Sequence, residues 1–164
     1  MDLLKLECYH EPELHDEIRY KIYVNNMNFI DLVRQVELPL AAREGHPEIA
    51  GGYIGFNDWT LVNYFNSYIS DGKMYLLACD GCGDEGCWGL FTRITATDST
   101  ITWSNFYNNH RNDPQRGDCF WDHSALGTFV FEKEQYVEEF ARECKNLNLP
   151  PVDGLRLHPV YSKQ

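Results

Sequence analysis

Three apolar runs follow one another too closely to be joined by anything but turns. They are residues 73–78 (KMYLLA), 88–95 (WGLFTRIT) and 100–107 (TITWSNFY). Parallel neighbours need a crossover of about a dozen residues or more. The connections here are CDGCGDEGC and ATDS, so the runs read as an antiparallel meander. The first run is apolar on both faces at its end, which predicts a central strand. Matching faces across the second hairpin sets Ile94 against Ile101, Thr92 against Trp103 and Trp88 against Tyr107. That register delivers the chain after Tyr107, and His110 with it, beside the cysteine-bearing turn.

The remaining elements fit around this frame. Ile18, Tyr20, Ile22 and Val24 alternate on one face of a strand, and Asn25-Asn26 makes a tight turn after it. Asp31 caps a helix presenting Leu32, Val33 and Val36, which Pro39 interrupts; a second helical piece over 39–44 stops at Gly45. Residues 45–57 (GHPEIAGGYIGFN) read as a loop. A short helix capped by Asn57 or Asp58 carries Trp59, Val62 and Phe65 inward. Residues 127–131 form another strand. Residues 133–147 form the best helix, with Tyr136, Val137, Phe140, Ala141, Cys144 and Leu147 facing inward at helical spacing. The expected fold class is α+β: an antiparallel sheet of five to six strands with helices packed on one face. At 164 residues the chain reads as a single globular domain over 1–164, with 148–164 a tail laid on its surface.

Charge and targeting narrow the class of function. The chain holds 25 acidic and 14 basic residues, a net charge of −11, with no basic patch. Ordinary nucleic-acid binding is therefore not expected, while a basic protein partner is compatible with the charge. No apolar stretch approaches the roughly 18 residues of a membrane span, so no membrane role is expected. The N-terminal MDLLKLECYHEPELHDE lacks the basic and apolar regions of a signal peptide, which predicts a cytoplasmic protein with reduced thiols. The catalytic signatures GxSxG, P-loop, HExxH and the dinucleotide-binding glycine fingerprint are missing from the sequence.

The turn CDGCGDEGC admits three readings: a metal knuckle, a redox pair, or a turn whose cysteines pack. Cys79-x2-Cys82-Gly83 has the spacing of half a zinc knuckle, in which glycine allows the positive φ that turns N–H groups toward sulfur. Cys87 adds a third sulfur, His110 is the expected fourth ligand, and Cys119 and His123 are reserves. On the metal reading zinc is the implied cofactor; the sequence assures none. A thioredoxin-like site is disfavoured, because its CxxC belongs at a helix N-terminus. Packed cysteine is the plain alternative, since free cysteine behaves as a small hydrophobe. Residues 108–124 form a polar connection long enough to suggest a functional segment. With residues 51–57 it offers Tyr53, Phe56, Arg111 and Trp121 as contact residues.

Several blocks together resemble a group of uncharacterised bacterial cytoplasmic proteins. These are IYVNNMNFIDLVRQVELPLAAREGHPEIAGGY (22–53), LLACDGCGDEGCWGL (76–90), WSNF (103–106) and LGTFVFEKEQY (126–136). Relatives in that group often carry C-x-C-G where this chain has C-x2-C-G. The resemblance implies a bacterial, soluble, single-domain protein and brings no established activity. Two functions are therefore expected to compete. The first is a non-catalytic acidic interaction protein of immunity, antitoxin-like or regulatory type. The second is a zinc- or thiol-dependent enzyme, or zinc-stabilised module, built on Cys79, Cys82 and Cys87, with Asp122 or His123 handling protons.

Overall fold

The structure is a computed structural model and describes residues 1–149. The expected tail over 148–164 lies almost wholly outside the described residues. The fold is α+β, with the strands in two antiparallel sheets rather than one. The first sheet contains β1 (Leu4–Glu11), β2 (Glu17–Val24) and β3 (Met27–Asn28), in that order. The second is a five-stranded meander of β4 (Tyr53–Gly55), β5 (Gly72–Cys79), β6 (Leu90–Ala96), β7 (Thr100–Asn108) and β8 (Phe129–Glu132).

The small sheet spans both edges of the large one. At one edge the Tyr20 N–H donates to the Phe56 carbonyl at 3.0 Å. At the other the Asp2 N–H donates to the Val130 carbonyl at 2.8 Å. Backbone groups that a sheet edge would leave unpaired are thereby used. Gly55 permits the first approach, because a Cβ there would collide with the Tyr20 carbonyl oxygen. One apolar cluster joins both sheets to all four helices; Tyr20, Phe29, Phe56, Tyr68, Trp103, Phe131 and Phe140 are among its largest fully buried members.

The meander forms as its short turns require, but in a different register. Ile94 pairs with Trp103 and Ala96 with Ile101, two residues from the expected pairing, because Thr97–Thr100 close a tight turn. A further slip follows between Phe91 and Arg93. A two-residue shift preserves which side chains share a face. Up to Trp103 the buried set is therefore as expected; beyond the one-residue slip burial passes to Phe106 and Asn108 rather than Tyr107, Trp88 precedes the ladder and Tyr107 pairs with Phe91.

Several local expectations are corrected. Helix α1 (Phe29–Glu44) is continuous through Pro39 and is capped by Asn28, whose side chain accepts from the Ile30 N–H. Pro39 is exposed, so its ring and the hydrogen bond it removes face solvent, while Phe29, Val33, Glu37 and Ala41 hold the buried face. In α2 (Asp58–Asn63), capped by Asn57, Trp59 points outward at 58% exposure while Thr60, Leu61 and Val62 are buried. The glycine-rich stretch 45–57 includes β4. Helices α3 (Phe65–Tyr68) and α4 (Lys133–Asn146) complete the fold. In α4 Tyr136, Phe140 and Cys144 face inward as expected, whereas Ala141 is exposed.

Candidate metal centre

Strand β5 ends at Cys79, and the chain then makes two consecutive turns before β6. In the first, the Gly83 N–H donates to the Cys79 carbonyl at 2.8 Å, and Gly83 takes a φ of +76°. This aims the backbone N–H groups of Gly81 and Cys82 at the Cys79 sulfur. In the second, the Cys87 N–H donates to the Asp84 carbonyl at 3.2 Å, and the Asp84 carboxylate accepts from the Gly86 N–H at 2.7 Å. The outcome is convergence: the Sγ atoms of Cys79, Cys82 and Cys87 all lie within 4.8 Å of one another. All three are free thiols, Cys79 half-buried and the other two exposed.

Arg19 fixes this turn to the body of the protein. Its guanidinium is buried and donates to the Gly55 carbonyl at 2.7 Å and the Gly83 carbonyl at 3.0 Å, while pairing with Glu17 at 3.0 Å. A planar fork with several donors suits such a junction, where a single ammonium would not reach all three partners. The sulfur electrostatics follow from the same geometry. Burial pushes the Cys79 thiol up, but the N–H groups of Gly81 and Cys82 and the neighbouring thiols outweigh it and hold Cys79 below its ordinary value. Cys87 is pushed up to about 11 by its hydrogen bonds to the Cys82 and Cys79 sulfurs. Cys79 is thus easier to ionise than Cys87.

The expected fourth ligand is not assembled with the three sulfurs. His110 does emerge beside the turn, but its Nε2 sits 2.8 Å from the Gly86 carbonyl and its ring stacks on Trp88. A carbonyl only accepts, so Nε2 carries the proton and Nδ1 keeps the lone pair, but neither nitrogen belongs to the cluster of atoms within 4.8 Å of one another. Cys119 donates to Glu44 at 3.7 Å, and His123 is buried against Glu37. Among the described residues the only such cluster of histidine, cysteine and acidic groups is the three cysteines. A cleft of about 420 Å³ adjoins them, lined by Glu48, Cys79, Asp80, Cys87, Trp88 and Arg111.

The long connection is ordered by two buried acids of α1 that nothing in the sequence singled out. Glu44 accepts from Arg111 Nη2 at 2.7 Å, from Arg111 Nε at 3.0 Å and from the Trp121 indole N–H at 2.8 Å. Burial would raise its carboxyl, but these donors outweigh burial and hold it below its ordinary value. The Arg111 guanidinium lies over both the Trp88 and Trp121 rings, at 5.0 and 5.6 Å. Glu37 accepts from the Tyr53 hydroxyl at 3.0 Å, which in turn accepts from Asn108 at 2.9 Å. The His123 Nε2 lies 3.7 Å from the same carboxylate.

These contacts correct the expected interaction surface. Tyr53, Phe56 and Trp121 are 4%, 0% and 1% exposed, and most of the Arg111 guanidinium is engaged. Phe56 packs among Tyr20, Tyr68 and Phe140 in the core. Their aromatic character signals core and anchoring, not an exposed contact face. Asp122 caps its own turn by accepting from the Ser124 N–H, and His123 faces Glu37, so neither attends the sulfurs. Among the described residues no helix is long and apolar enough to cross a membrane. Comparison with protein-family models, curated proteins and solved structures finds no match.

Proposed function

We propose that the chain is a metal-binding module that holds one zinc ion on Cys79, Cys82 and Cys87 and leaves its fourth position facing the adjoining cleft. The observation that carries this is the convergence of three sulfurs within 4.8 Å. In tetrahedral zinc with Zn–S bonds of about 2.3 Å, sulfurs stand about 3.8 Å apart. The contraction needed is at most about 1 Å, within reach of side-chain rotation in exposed Cys82 and Cys87. Soft thiolates favour zinc over the hard cations. The N–H groups directed at Cys79 supply the supporting hydrogen bonds that thiolate sites use to orient their ligands.

An acidic interaction protein, the other function the sequence suggests, loses its proposed aromatic contacts to burial. Its charge argument survives and bears on what meets the cleft. The test is elemental analysis of protein purified without a metal column. The expected result is about one zinc per chain, lost in Cys82→Ser. Protein without metal, whose Cys79, Cys82 and Cys87 all titrate freely at neutral pH, would overturn the proposal.

A further inference from the structure

We infer that the fourth zinc ligand comes from outside the described residues, as the neutral imidazole of a histidine carried on a basic polypeptide that enters the cleft. The inference rests on the zinc reading above and adds the chemistry of its partner.

Three features of the site lead there. A four-coordinate zinc with three thiolates needs one more donor. Among the described residues no further histidine, cysteine or carboxylate belongs to the sulfur cluster; the nearby His110 turns its Nε2–H to the Gly86 carbonyl, and its Nδ1 is not part of the cluster. The sulfurs Cys79 and Cys87 form part of the wall of a cleft of about 420 Å³, which admits a side chain rather than only a water.

Charge then selects the kind of ligand. Zinc with three thiolates is an anion of charge −1 before any neighbour is counted. Asp80 and Glu48 line the same cleft, and Asp84 and Glu85 belong to the cysteine turn. The one cation in the cleft wall, Arg111, is already paired with buried Glu44 at 2.7 Å. A fourth thiolate or a carboxylate would add negative charge to this set, and like charges brought together at short range oppose binding. A neutral imidazole adds none, and lysine or arginine residues flanking it would meet the surrounding carboxylates. The net charge of −11 favours the same encounter at long range.

Cobalt substitution in the intact protein reads the metal reading and the ligand separately. Thiolate-to-cobalt charge transfer reports the three sulfurs, and the ligand-field bands report the fourth donor. The probes are imidazole, a lysine-rich peptide with one histidine, the same peptide with alanine there, and a glutamate-rich peptide with histidine. The expected result is a ligand-field change with imidazole and with the basic histidine peptide. That peptide should bind at least about tenfold more tightly than either control. Its affinity should fall with added salt and in Glu48→Gln or Asp80→Asn. Absence of the charge-transfer band before any probe is added would remove the zinc reading and the inference with it. A normal band whose ligand-field pattern ignores imidazole, or equal affinity for the basic and acidic histidine peptides, would overturn the inference alone.

Discussion

Gly83 is the residue on which the cysteine turn depends. Its φ of +76° lies in the left-handed region, and a Cβ there would stand 2.5 Å from Arg19 Nη2 and 2.9 Å from Leu14 Cδ1. Gly83→Ala therefore meets both backbone strain and a clash with a buried guanidinium that is tied to Gly55, Gly83 and Glu17. The expected cost is about 2 kcal/mol or more, read from urea unfolding. Zinc affinity, measured by chelator competition, should fall in the same variant because the N–H groups no longer converge on Cys79. Unchanged stability would mean that Arg19 does not hold the turn. This part of the site is legible in the sequence: the CxxCG spacing points to two of the three converging sulfurs and to the glycine conformation. The role of Arg19 is not, because an arginine in an alternating strand reads as solvent-facing. Only the approach of Gly55 and Gly83 from other elements encloses it.

Helix α1 acts as the anchor for residues 108–124. Glu37, Ala41 and Glu44 recur at helical spacing on one face, and Ala41 packs with Ala50 and Trp121 under the connection. Acids on a helix read as solvated, so the two that fix this segment were hidden in a pattern of ordinary surface charge. Continuity of the helix through Pro39 was hidden as well. Packing of the buried face overrides the local penalty, as it does where propensity opposes tertiary contacts. The strand β1 was missed because its alternation, Leu4 and Leu6 followed by polar residues, is short and sits in an acidic stretch.

Glu44 gives this anchoring a pH signature. Its carboxyl is held below its ordinary value of 4.5 by Arg111 and Trp121 against the effect of burial. Its contribution is therefore complete above pH 4.5 and is lost as the pH falls through the lower folded-state value. Fluorescence of Trp88 and Trp121 should report release of the connection only below about pH 4.5, the ordinary value. In Glu44→Gln that acid step should vanish, and amides of 108–124 should exchange faster at neutral pH. Identical acid titrations of the two proteins would show that Glu44 does not hold the segment.

At the scale of the whole molecule, the cysteine turn sits at the rim of a core that does not include it. The apolar cluster draws on both sheets and all four helices, and none of Cys79, Cys82 and Cys87 is among its members. Small metal domains that lack such a core unfold without their ion. Here removal of zinc by a chelator should leave far-ultraviolet circular dichroism essentially unchanged. The Tm should drop by several degrees, since an ion bound only to the folded state adds stability by mass action. Global unfolding on chelation would contradict this division between core and site. The α+β class and the antiparallel meander were legible because short turns leave few ways to join the strands. Closure of the two sheets was not, since it depends on backbone contacts at Asp2 and Tyr20 that carry no compositional mark.

Zinc K-edge X-ray absorption on the purified protein addresses the convergence of Cys79, Cys82 and Cys87 most directly. The predicted spectrum has three sulfur neighbours at about 2.3 Å and one lighter nitrogen or oxygen neighbour at about 2.0–2.1 Å. A first shell made only of nitrogen and oxygen, or a protein that retains no zinc to measure, would contradict the three-sulfur site.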